Sequence, residues 1–376
     1  MPVLKPQELV NNRVQAVKAY HAEAHQPKAE LDLSGGIDSA VMAGVLVLAL
    51  GAKNVTLAHL GINSNPEQTD RARRLAKGLG CPLAVIDVTA EYESLVKKIV
   101  DSLVEAAPQG PWWGGIGLKS PGERTREEIE ARIKADPTIL GSIRSTLRAP
   151  LGRAFNRLTG GGIRHGTGNE CEDRFLRFYQ KGGDGEVDSN PVAMLSKAEI
   201  YQLAYELATG GYFPNVGTDN NAKQAYIDTI RAVPSADLWG VGDKHNDETE
   251  IKSWLGADFT YGKLDPATGK VYKIGTIERV ARFLDDRESD IHIDTNEKRL
   301  FSDSTTGEWC NLIPIAQRHP AFAGVNSMEV EKLLQGARKA ERCTRHKWNP
   351  NCPALGSRKD LIDAGILTDN FNAYGV

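Results

Sequence analysis

Cysteine is scarce in this sequence: five residues in 376 (Cys81, Cys171, Cys310, Cys343, Cys352). They are too few and too scattered for a disulfide framework, so a reducing compartment is the simpler reading. Long apolar runs are missing too. The longest, Val41 to Leu50, has ten residues and is interrupted by Gly44, about half of the ~20 needed to cross a bilayer. The N-terminus places polar residues where a secretory leader needs an apolar centre. With no leader and no span, the expectation is a cytoplasmic protein with no membrane partner. Charge of one sign is also lacking: 46 Lys and Arg against 49 Asp and Glu leave a net charge of -3. No basic field marks a nucleic-acid partner. No internal repeat or low-complexity tract is present.

What remains is ordinary globular composition with an informative order. A helical pattern over 6–23 precedes a short apolar strand at 29–33. Two glycines follow, then a helix over 39–50, a strand at 55–60, a helix over 68–78 and a strand at 83–88. Strand–helix–strand units of this spacing predict a doubly wound parallel α/β sheet covered on both faces. Helices are expected over 126–133 and 138–158, a strand at 163–167, and a helix capped by Ser196 running to Thr209. The Gly- and Pro-rich stretch 108–124 reads as a long loop. The segment after 240 mixes turn signals with one good helix, 277–286, and a further helix is expected over 328–341. The expected organisation is a core at 1–240, an insertion or extended lid at 241–325, and a C-terminal segment at 326–376.

The first strand runs into Ser34-Gly35-Gly36-Ile37-Asp38-Ser39, which opens a helix. A phosphate needs backbone N–H groups aimed from a helix N-terminus, and adjacent glycines let the backbone approach closely. Ser34 and Ser39 add hydroxyls, and Asp38 offers a hard oxygen for Mg²⁺. The pattern is neither a Walker loop nor a dinucleotide fingerprint. It resembles the SGGxDS loop of N-type ATP pyrophosphatases, which implies an adenine nucleotide alpha hydrolase-like fold with insertions, and cleavage of ATP between its α- and β-phosphates.

A second segment, GTGNECEDRFLRFYQKGGDGEVDSNPVAMLSK from Gly166, resembles the GTxN, Glu, TKxGDGxxDxxP and Lys series of ammonia-dependent NAD synthetases. Pro234 to Trp239 (PSADLW) and His346-Lys347 resemble two further motifs of that family. The resemblance implies ATP contacts at Ser34, Gly35, Gly36, Ile37, Asp38, Ser39, Thr167, Lys197 and Ser235. It implies Mg²⁺ ligands at Asp38 and Glu172, and contacts to deamido-NAD at Lys181, Asp188, His346 and Lys347. In the family, two Arg precede GTxN by one helix. Here Arg148 matches the second, Thr146 stands where the first is expected, and Arg144 is the candidate substitute. The implied reaction is amidation of deamido-NAD by ammonia through an acyl-adenylate, giving NAD, AMP and pyrophosphate. The alternative is a related enzyme amidating a different carboxylate. Only about thirty residues precede the loop, none of them Cys, so the expected nitrogen source is ammonia, free or delivered by a separate glutaminase. The family resemblance implies a homodimer. Cys343, His346 and Cys352 could instead form part of a zinc site, but a fourth ligand with suitable spacing is missing.

Overall fold

The computed structural model describes residues 3–106, 126–135, 138–213, 221–235, 246–286, 313–344, 347 and 355–370. The expected loop at 108–124, His346 and Cys352 lie outside these residues. The first helix, α1 (Pro6–Glu23), packs on α2 (Ile37–Leu50), and both cover a sheet built from β1 (Ala29–Asp32), β2 (Val55–Gly61), β3 (Leu83–Asp87) and β4 (Ile163–His165). All pairings are parallel, in the order β3-β2-β1-β4. The chain therefore winds outward from β1 in one direction through β2 and β3, then returns to the other side of β1 with β4. The expected doubly wound parallel α/β fold is borne out.

Side chains alternate across a strand, and the two sheet faces differ accordingly. Leu31, Leu33, Val55 and Leu57 point into the main hydrophobic core, where they meet α1, α2, α3 (Pro66–Leu79), α7 (Lys197–Thr209) and α8 (Asn221–Arg231). Helix α2 is apolar nearly all round because it is buried on several sides. Glu30 and Asp32 point the other way and hold the guanidinium of Arg164 from β4. Burial pushes the Glu30 carboxyl up to about 8, with the Asp32 charge adding to the rise and Arg164 opposing it. Helix α6 (Thr138–Leu158) covers this face. A Cβ at its Gly152 would lie 1.6 Å from an Arg164 nitrogen, so only glycine lets the helix close over the ion cluster. Between α3 and α6 in the chain lie α4 (Thr89–Ala106) and α5 (Arg126–Ala135).

A second hydrophobic cluster joins the turn Glu170–Phe175 to the later part of the chain. Cys171, Phe175 and Leu176 pack with α9 (Asp247–Leu255), α10 (Thr276–Asp286) and α11 (Ser327–Thr344). A short antiparallel pair, β5 (Lys263–Leu264) and β6 (Val271–Lys273), turns at Asp265, whose carbonyl accepts from Thr268 and Gly269. The last helix is α12 (Arg358–Asp363). No helix among the described residues is long and apolar enough to cross a membrane.

Candidate functional site

In an open parallel α/β sheet, ligands bind beyond the carboxyl ends of the strands where the winding direction reverses. Here that point lies between β1 and β4, and the glycine loop occupies it. Gly35 has φ +83°, a left-handed conformation that glycine adopts without strain. A Cβ there would lie 2.1 Å from the Gln68 carbonyl oxygen of α3. No side chain caps the start of α2, so its leading N–H groups and the positive end of its dipole face the cavity. Ser34 Oγ lies 3.0 Å from Ser39 Oγ and accepts from the Gly36 N–H at 3.2 Å. The cavity, of about 210 Å³, is lined by Ser34, Gly36, Ile37, Asp38, Ser39, Thr167, Glu172, Lys197 and Ser235. These are nearly all the residues expected to touch ATP.

Three charged groups from separate elements meet at its floor. Asp38 sits in the first turn of α2. Glu172 sits in a single π-turn that Asn169 caps: its side chain accepts from Cys171 N at 3.0 Å and Glu172 N at 3.3 Å. The Asn169 amide also donates to Asp38 Oδ1 at 3.1 Å, tying the two carboxylates' backbones together. Lys197 is the first residue of α7, where Ser196 and Glu199 form a capping box. Its Nζ lies 2.6 Å from Asp38 Oδ2 and 3.1 Å from Glu172 Oε1, and 5.1 Å above the Tyr261 ring. Burial works against charge on Lys197, yet Asp38, Glu172 and Asp247 together hold its pKa well above the ordinary value. Burial raises Glu172 to about 8; Lys197 opposes the rise and Asp38 reinforces it.

The same geometry bears on a divalent cation. Asp38 and Glu172 converge on one positive centre, and a hard cation such as Mg²⁺ takes one or two carboxylates plus phosphate oxygens and water. Among the described residues no three His, Cys, Asp or Glu side chains form a ready-made metal cage. The two carboxylates fit as the protein's share of such a site, with a nucleotide supplying the rest. Cys343 is exposed, and the rest of the alternative zinc set falls outside the described residues.

The residues expected to hold the acceptor are less gathered. Arg148 lines the cavity and donates from Nε to the Leu60 carbonyl at 3.2 Å. Arg144 is buried with its guanidinium 5.1 Å over the Tyr92 ring, away from the cavity lining. Lys347 donates to the carbonyls of Arg177 and Tyr179, and burial lowers its pKa. Lys181 is exposed on the glycine turn. Asp188 is engaged by Arg153 Nη1 at 2.7 Å and the Arg164 N–H at 2.9 Å. Asp184 docks that turn on α6 through Ser145 Oγ at 2.8 Å. Residues that the motifs do not single out also line the cavity: Asp32, Arg71, Arg164 and Asp247. Only proximity in three dimensions marks them, except Asp32, which ends the strand before the loop.

Residues 9–109 match the family model described as NAD synthase. The chain is 25% identical over 293 residues to the NH(3)-dependent NAD(+) synthetase of Methanococcoides burtonii, spanning 75% of this chain and 90% of that protein. It is 28% identical over 239 residues to the protein of the same name from Halobacterium salinarum, spanning 63% and 68%. The solved NMN synthetase of Francisella tularensis shares the fold, with a TM-score of 0.54 at 18% identity over 94% of this chain and 99% of that one. The resemblance to NAD synthetases, and the adenine nucleotide alpha hydrolase-like fold it implied, are borne out.

Proposed function

We propose that this chain, which carries an NAD synthase-type nucleotide domain, is a carbon–nitrogen ligase that amidates deamido-NAD with ammonia at the expense of ATP. The observation that carries the reading is the convergence of Asp38, Glu172 and Lys197 beneath an uncapped, glycine-led helix start. The similarity to NH(3)-dependent NAD(+) synthetases favours deamido-NAD over a different carboxylate and ammonia over other nitrogen donors.

In this reading the triphosphate lies along 34–39, with Thr167, Lys197 and Ser235 as further ATP contacts. Asp38 and Glu172 would hold Mg²⁺, which would supply charge neutralisation for the phosphates. The nicotinate carboxylate attacks the α-phosphorus, and the α–β bridging bond breaks with its electron pair leaving on pyrophosphate. Ammonia then adds to the acyl-adenylate, loses a proton, and AMP departs. Nothing here requires a nucleophilic side chain. Positioning and preorganised charge lower the barrier. Arg144, Arg148, Lys181, Asp188, His346 and Lys347 are the proposed acceptor contacts. The segment 241–325 is the proposed insertion or lid over the 1–240 core, with 326–376 completing the acceptor side. A cytoplasmic homodimer fits the unpaired thiols of Cys81, Cys171 and Cys343 and the family pattern.

The test incubates the protein with ATP, Mg²⁺, ammonium and nicotinic acid adenine dinucleotide, and follows NAD, AMP and pyrophosphate. Equimolar appearance of the three supports the reading. AMP without NAD would overturn the acceptor, and no AMP at all would overturn the adenylation chemistry.

A further inference from the structure

We propose that Arg71 binds the departing pyrophosphate, gripping its oxygens from the α3 side of the glycine loop. The inference rests on the reading above and adds a residue that no motif marks.

Arg71 reaches the loop because α3 starts against it. Asn65 caps α3 by accepting from Glu67 N at 3.0 Å, and Pro66 supplies the first helical residue. One turn later Gln68 packs so closely on Gly35 that no Cβ fits between them. One further turn of rotation places Arg71 beside the same glycine. Its Nε donates to the Gly35 carbonyl at 2.9 Å. That bond fixes the guanidinium plane and spends only one of its five donors. The side chain is 13% exposed and lines the cavity beside Ser34 and Gly36. Glu67 approaches its Nη1 only to 3.9 Å and is itself 81% exposed, so this pair takes little of the charge.

The other cavity cations are more committed. Lys197 divides its charge between Asp38 and Glu172. Arg164 is held by Glu30 and Asp32. Arg148 is tied to β2 at the Leu60 carbonyl. When the α–β bond breaks, negative charge accumulates on the oxygens that the loop holds. A planar guanidinium whose Nη1–Nη2 edge is not taken by Gly35 suits them, because that edge makes paired N–H···O bonds to a phosphate group. Arg71 stays protonated throughout and takes part in no proton transfer.

The test uses the full-length chain with Arg71→Gln, which keeps an amide donor for Gly35 but removes the charge, and with Arg71→Lys, which keeps the charge but loses the fork. Calorimetric titration with Mg-pyrophosphate and with AMP needs no turnover. The expected result is a loss of at least tenfold in pyrophosphate affinity for Arg71→Gln, partial recovery in Arg71→Lys, and AMP affinity within twofold of the unmodified protein in both. Should Arg71→Gln lower the melting temperature, Arg71→Lys carries the test, with an expected several-fold loss confined to pyrophosphate. Equal pyrophosphate affinity in all three proteins, or equal losses for AMP and pyrophosphate, would overturn the assignment. A chain that binds pyrophosphate through Arg71 yet forms no NAD would sink the acceptor assignment and leave Arg71 standing.

Discussion

Replacing Arg358 with Met should destabilise the fold by about 3–5 kcal/mol and misplace Lys197 without touching the cavity. Arg358 of α12 donates to both carboxylate oxygens of Glu199, each at 2.8 Å, and to Asp369 at 2.8 Å. Glu199 is fully buried and Arg358 is 4% exposed. Removing one partner of a buried pair leaves an uncompensated charge, a loss of roughly 3–5 kcal/mol. Proton linkage gives a similar size. Burial alone would raise Glu199, but Arg358 outweighs it and pulls the carboxyl down to about 2. Against an ordinary 4.5, that depression is worth about 3 kcal/mol. It is present above pH 4.5 and lost as pH falls from there towards 2. Unfolding entropy of about 2.1 cal/mol/K per residue over 376 residues converts 3–5 kcal/mol into a drop of about 4–6 °C in Tm, read by scanning calorimetry at pH 7. Glu199 is also the capping-box partner of Ser196, one residue before Lys197, so activity should fall further than stability alone explains. The double variant Arg358→Met with Glu199→Gln should regain more than half the lost stability, because no unpaired carboxylate is left at position 199 while the amide oxygen can still accept from Ser196 N. A single variant melting within 1 °C of the parent, or a double variant no better than the single, would refute the argument.

Two further outcomes follow from other parts of the fold. Gly35→Ala should cut ATP affinity at least tenfold by calorimetric titration, since its Cβ would overlap the Gln68 carbonyl at a φ that alanine avoids; unchanged affinity would mean that the loop does not approach the phosphates. His165 Nε2 lies 2.9 Å from His21 Nε2, and its Nδ1 lies 2.8 Å from Ser189 Oγ, while His21 Nδ1 lies 2.6 Å from the Gln26 carbonyl and must donate to it. Burial, then the His21 charge, lowers His165 to about 3, so its contribution is intact above pH 6.5 and is lost as pH falls towards 3. Denaturant unfolding should show about 2 kcal/mol less stability at pH 5 than at pH 7 from this group. His165→Gln should remove that difference, and an unaltered pH dependence would contradict it.

The sheet was legible because its signals are local. Alternating apolar positions at 29–33 and 55–60, each segment ended by glycine or a turn, need no distant partner to read. The glycine loop was legible for the same reason, since its chemistry is concentrated in six consecutive residues. The helices α4 and α8 carry one-sided apolar patterns, and they went unmarked although their periodicity could have been read. The π-turn at Glu170–Phe175 could not be foreseen, because one inserted residue in a helical turn has no periodicity of its own. The least legible features are the paired charges. Glu199 and Arg358 are 159 residues apart in the chain, and each alone reads as an ordinary surface residue. Arg71 was invisible for a different reason: a basic residue on an amphipathic helix is commonly solvated, and only the packing of α3 on Gly35 turns it inward.

The buried ammonium–carboxylate centre also explains why the later part of the chain is packed where it is. Lys197 of α7 is held within about 3 Å of one carboxylate from α2 and one from the π-turn, and a buried ion group stays put only if each backbone is fixed independently. Asn169 and Ser196 fix two of them locally. The remaining restraint comes from beyond residue 246. Tyr261 covers Lys197 with its ring, and Glu278 accepts from the Ala198 and Gly262 N–H groups. Arg282 pairs with Glu170 at the foot of the π-turn. Each contact joins a residue next to the centre with α10 or the strand pair before it. Loosening α10 should therefore act on Glu172 and Lys197 before it acts on the sheet, because the main core of α1, α2, α3, α7 and α8 forms without it.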